Sequence, residues 1–137
     1  MNNEKIPAKI LIIEDDVWLS RSFEKVLKRK FTDVKSIQDP AEAFDVFAEF
    51  WPDLIIANVL LGEQNLFVLL NEMQSYDDSR KIPIIILSSL AEKIRAENVA
   101  EFGVKEILDK ADITPETLRK SAKDILENLK NGAENEQ

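Results

Sequence analysis

The chain contains no cysteine and no histidine. Without thiols it can form no disulfide and offer no thiolate. Without imidazole it lacks the usual zinc ligands and a histidine base. Glycine is scarce too: Gly62, Gly103 and Gly132 are the only three in 137 residues. A glycine-rich loop that wraps a nucleotide or flavin phosphate therefore has no sequence to be built from. No apolar run approaches the roughly 20 residues that span a bilayer. The opening MNNEKIPAK is too polar and too short for a signal peptide. Basic charge is also short, with 18 Lys and Arg against 26 Asp and Glu and a formal net charge of -8. That balance disfavours unaided contact with nucleic acid or an anionic membrane surface. A soluble, cytoplasmic protein is expected.

What remains is ordinary for a globular domain: 45% hydrophobic and 32% charged residues, in a length that suits one domain with a sizeable core. Apolar runs and amphipathic segments alternate. Residues 9–13 read as a short strand, and Asp15 or Asp16 can cap a helix with Leu19, Phe23, Val26 and Leu27 at helical spacing. Residues 31–37 form a second, weaker strand. Asp39-Pro40-Ala41-Glu42 reads as a capping box before a helix that buries Ala43, Phe44, Phe47 and Phe50, ended near Pro52.

Residues 53–61, DLIIANVLL, are the centre of the pattern. An apolar run of strand length between Trp51-Pro52 and Gly62 reads as a buried parallel strand, and it carries Asn58 near its end. Asn65 can cap a further helix with Leu66, Leu69, Leu70 and Met73 on one face. Residues 82–87 are another buried strand. Residues 91–102 show the weakest amphipathic pattern, and Gly103 ends it. Residues 104–108 form a fifth strand. Thr114-Pro115 starts a last helix using Leu118, Ala122, Ile125 and Leu129, stopped by Asn131-Gly132. The domain is expected to occupy residues 1–130, followed by a polar tail over 131–137.

Five strands alternating with five helices predict a three-layer (βα)5 domain, a flavodoxin-like doubly wound parallel sheet of order 2-1-3-4-5. Its switch point, between the first and third strands, brings Glu14-Asp15-Asp16 and Asn58 to one crevice at the carboxyl edge, where open α/β sheets bind ligands. Ser88 and Lys110 fall on the other side of Asn58.

The motifs ILIIEDD, PDLIIANVLL, IPIIILSS and GVKEILDK stand in order on the first, third, fourth and fifth strands. On them the chain resembles the receiver domain of two-component response regulators, over nearly its whole length. The interval from Ser88 to Lys110 fits that family as well. The resemblance implies a magnesium site made of Glu14, Asp15, the residue at 58 and the backbone carbonyl of Leu60. Ser88 matches the switching hydroxyl that contacts the phosphoryl group, and small Ser89 beside it leaves room for the phosphate. Lys110 matches the lysine that neutralises a phosphoryl oxygen. Asp16 stands at a variable position and reads as a helix cap.

The chain departs from the family at its acceptor. Asn58 stands where the phosphorylated aspartate belongs, and an amide has no carboxylate oxygen with which to form an acyl phosphate. Losing one negative charge should also weaken magnesium binding. Ile107 replaces the aromatic switch residue, Leu66 a common loop glycine, and Ala111 the proline after the lysine. With alanine there, the bond after Lys110 is expected to be trans and the loop locally shifted. Asn58 fits two origins, an atypical receiver that signals without aspartyl phosphorylation or an ordinary one inactivated by an Asp-to-Asn change. Retention of Glu14, Asp15, Ser88 and Lys110 favours the second, and Ile107 and Ala111 favour the first.

The expected function is that of a single-domain, non-enzymatic receiver module of a phosphorelay, with no effector attached, phosphorylation-incompetent and acting by protein contact. The resemblance implies a sensor histidine kinase or phosphotransfer protein upstream. It implies a protein partner downstream, met by the face of the fourth helix, fifth strand and fifth helix, and no direct contact with nucleic acid or membrane. Two other classes compete, a constitutive protein-interaction scaffold and a small flavodoxin-like enzyme or cofactor binder.

Overall fold

The computed structural model describes residues 4–39, 42–58, 82–89, 100 and 103–135, with the side chains of 44, 47, 48 and 130–135 outside that set. The chain order is β1 (Ile6–Ile13), α1 (Val17–Lys28), β2 (Phe31–Ile37), α2 (Ala43–Phe50), β3 (Leu54–Asn58), β4 (Ile84–Ser88), β5 (Val104–Asp109) and α3 (Pro115–Asn135). A 3-10 turn, Lys110–Asp112, links the last two. All strand pairs are parallel, in the order β2-β1-β3-β4-β5. The doubly wound flavodoxin-like sheet read from the sequence is therefore present.

β3 and β4 are apolar at every position but their last, Asn58 and Ser88, because both faces of the sheet are covered. β3 and β4 are buried throughout. On one face Leu11, Ile13, Ile55, Ala57, Ile84 and Ile86 pack with Ala43 and Val46 of α2. On the other, Ile10, Ile12, Leu54, Ile56, Ile85 and Leu87 pack with Leu27 of α1 and with Leu118, Ala122 and Ile125 of α3. The period-2 alternation of a strand sorts each run into two cores. Burying one such Ile or Leu contributes about 1.5–3 kcal/mol relative to leaving it exposed.

Several expectations need correction. β1 begins at Ile6 rather than Lys9, and its register with β2 shifts between those residues, beside Pro7, which has no N–H to give the ladder. Leu19 of α1 is exposed, lining an open groove of about 290 Å³ with Phe23, Val26 and Leu118. α3 does not stop at Asn131-Gly132 but continues to Asn135. A glycine costs a helix only about 1 kcal/mol, and no proline follows it. Leu129, before that point, is exposed, since among the described α3 side chains the last one packed on the core is Leu126. The helix expected after Asn65 and, apart from Ala100, the one over residues 91–102 lie outside the described residues, as do Pro40 and Ala41 of the capping box.

Local contacts fix the ends of the elements. Asp16 accepts from the Leu19 amide at 3.1 Å and caps α1. Asp53 and Lys9 exchange two hydrogen bonds, from the Asp53 amide to the Lys9 carbonyl at 2.7 Å and from the Lys9 amide to Asp53 Oδ2 at 2.9 Å. They align the start of β3 with β1. Gly103 enters β5 with φ +92°, a conformation that L side chains rarely adopt.

Candidate functional site

The carboxyl ends of β1, β3, β4 and β5 carry Glu14, Asn58, Ser88 and Lys110. Glu14 follows the last residue of β1, and its amide donates to the Ile37 carbonyl at 3.0 Å, which holds its backbone at the sheet edge. Asn58 ends β3 and pairs in register with Leu87, one residue before Ser88. Ser88 in turn pairs with Asp109, the residue before Lys110. The parallel register therefore delivers all four positions to one edge.

Three of them meet. Asn58 Nδ2 donates to Glu14 Oε2 at 2.5 Å. Lys110 Nζ lies 2.8 Å from Glu14 Oε1. The Asp16 amide adds a third donor, to Glu14 Oε2 at 3.2 Å. Glu14, Asn58 and Ser88 are each 1% exposed, and the Lys110 side chain keeps 15% of its exposure. A carboxylate this deeply buried is tolerated only when paired and hydrogen-bonded, and Glu14 is both.

The other expected residues are placed less centrally. Asp15 and Ser89 are exposed. Ile107 is half-buried and packs against the α2-side core. Leu60 and Leu66 lie outside the described residues. No described peptide bond is cis, so the Lys110–Ala111 bond is trans. One participant escaped the sequence reading. Asp109 Oδ1 accepts from the Ala111 amide at 2.9 Å and caps the 3-10 turn that carries Lys110. An aspartate two residues before a loop amide is the sequence signal for such a turn.

A family model described as the response regulator receiver domain matches residues 10–123. The chain belongs to that family. It is 24% identical over 110 residues to the polar-differentiation response regulator DivK of Brucella anthropi, covering 80% of this chain and 89% of DivK. It is 28% identical over 102 residues to the response regulator GraR of Staphylococcus aureus, 74% of this chain but 44% of GraR. The fold is similar to the signal receiver domain of a Luxo repressor protein from Vibrio parahaemolyticus. There the TM-score is 0.80 at 20% identity, covering 96% of this chain and 99% of that one. A receiver domain of a signal transduction histidine kinase from Syntrophus aciditrophicus aligns with TM-score 0.73 at 25% identity, covering 90% and 92% of the two chains. Receiver domains are modules of two-component signalling. They interact with histidine kinases or phosphotransfer proteins and generally bind magnesium at the acceptor site.

Magnesium demands near-octahedral oxygen ligands at about 2.0–2.1 Å. Here Glu14 directs both oxygens at nitrogen donors, and Asn58 turns its Nδ2 rather than its Oδ1 toward Glu14. Among the described residues no three acidic side chains gather as a metal cluster. In this arrangement the described side chains do not fit the ion.

Proposed function

We propose that this receiver does not accept a phosphoryl group as it stands and signals through protein–protein contact. The observation that carries the reading is Asn58: buried at the acceptor end of β3, with its amide nitrogen committed to Glu14 at 2.5 Å. That nitrogen has no carboxylate-like lone pair with which to attack phosphorus. Glu14, Ser88 and Lys110 share the same sheet edge, which supports reading 58 as the acceptor position. Upstream the partner is a sensor histidine kinase or phosphotransfer protein, as for the family. Downstream it is a protein met through the face of β5 and α3, together with the fourth helix expected from the sequence. The family pattern would add Asp15 and the Leu60 carbonyl to a magnesium site, which the contacts of Glu14 with Lys110 and Asn58 disfavour here, and small Ser89 leaves room beside Ser88.

A second reading, a constitutive scaffold that binds its partner whatever the site holds, draws support from the closed Glu14–Asn58–Lys110 contacts. They give the resting site a defined geometry without a ligand.

The experiment is incubation with acetyl phosphate and magnesium, read by intact mass. The parent should stay unmodified. Asn58→Asp should gain one phosphoryl group as a carboxylate oxygen attacks phosphorus and acetate leaves with the P–O electron pair. A phosphoryl adduct on the parent would overturn the reading.

A further inference from the structure

Glu14 is 1% exposed, yet its charge is met from within the chain. Lys110, 96 residues away, brings its ammonium to Oε1 at 2.8 Å. Asn58 and the Asp16 amide cover Oε2. No described buried side-chain nitrogen or oxygen lacks a partner. One carboxylate, one ammonium and one neutral amide leave this trio, buried but for the end of Lys110, with no net charge. An aspartate at 58 would set two carboxylates against the same ammonium, an excess that a divalent cation relieves.

We propose that Lys110 is the resident cation of this site. With Asn58 in place a single ammonium balances the buried acid, so the cleft is complete without magnesium, and magnesium can reach Glu14 only by displacing Lys110. The inference rests on the reading of Asn58 as an acceptor that cannot be phosphorylated, and it adds that the site is also independent of metal. The geometry supports this on both sides of the carboxylate, because Asn58 offers a donor where a ligand oxygen would be required. The 3-10 turn capped by Asp109 fixes the backbone from which Lys110 reaches inward.

The test uses magnesium chloride alone, without a phosphodonor, so its outcome is separate from that of the phosphorylation experiment. In the parent, thermal midpoints in chelator and in about 10 mM magnesium should agree within about 1 °C. Lys110→Met removes the ammonium and frees one oxygen of Glu14. Its midpoint should fall in chelator and regain about 3–5 °C with magnesium, the shift expected for a cation bound near millimolar affinity. A parent that gains as much as the variant would overturn the proposal. Should Lys110→Met not fold, the parent alone still decides. The amide resonance of Asp16, which reports on Glu14 Oε2, should not move on titration to about 10 mM magnesium. A saturable shift at or below about 1 mM would show that the ion displaces Lys110 readily.

Discussion

Glu14 and Asn58, 44 positions apart in the chain, share a buried 2.5 Å hydrogen bond across neighbouring strands β1 and β3. The bond joins the residue proposed for the metal acid to the one proposed for the phosphoacceptor position. It makes Asn58 a structural partner of Glu14.

Replacing Asn58 with aspartate should therefore destabilise the protein in chelator. The donor to Glu14 becomes a second carboxylate, and like charges that close raise each other's cost. The loss should be about 1–3 kcal/mol, by analogy with other buried groups deprived of a hydrogen bond. Magnesium should recover most of it. Urea unfolding with and without the metal checks the prediction, and a variant at least as stable as the parent in chelator would contradict it.

Lys110→Met and Glu14→Gln should not cost the same. Removing the lysine strands a carboxylate that is 1% exposed, for about 2–4 kcal/mol. The figure lies toward the low side of buried pairs because Lys110 keeps 15% exposure and water reaches its end of the pair. Removing the acid leaves an ammonium on a flexible stem that can turn to solvent. Glu14→Gln should therefore be the milder change by at least about 1 kcal/mol. Equal losses in matched urea titrations would count against a buried, directional pair.

Gly103→Ala should lose about 1–3 kcal/mol. The position combines φ +92° with a Cβ that would stand 2.9 Å from the Ile82 carbonyl oxygen, a backbone atom with little freedom to retreat. The Ile84 amide donates to the Gly103 carbonyl at 2.9 Å, so the strain would pass into the β4–β5 junction. Chemical denaturation measures it directly, and a loss below about 0.5 kcal/mol would mean that the turn relaxes.

Glu24 ties α1 to β2, accepting from Ser36 at 2.5 Å and pairing with Lys28 at 2.6 Å. Burial pushes its carboxyl up, but the hydrogen bonds from Lys28 and Ser36, with the charges of Lys28 and Arg21, outweigh that and hold it below its ordinary value of 4.5. A carboxyl depressed in the folded state adds stability that is fully present above the unfolded value and is lost as pH falls through the folded one. Glu24→Gln should accordingly melt below the parent at neutral pH, with the gap closing below about pH 4. A gap that is unchanged or wider in acid would show that the ionised form is not the one the fold favours.

The sequence by itself determined the doubly wound sheet, the strand order, the two-sided burial and the edge at which Glu14, Asn58, Ser88 and Lys110 gather. These follow from short-range regularities: the apolar runs of β3 and β4 can be satisfied only between two helical layers. A parallel sheet of that order then aligns the strand ends without further information. Element ends were less legible. Gly132 reads as a stop, yet helix propensity is a weak term and α3 runs through it. Leu129 has the right spacing to be buried, but spacing says nothing of where the partner core ends. Only the tertiary structure decided what the site's side chains do to one another. That Lys110 pairs with Glu14, and that Asn58 gives Glu14 its nitrogen, depends on side-chain geometry between residues 96 and 44 positions apart. Burial set that outcome, because an acid taken out of water must find its donors among whatever side chains the fold brings within reach.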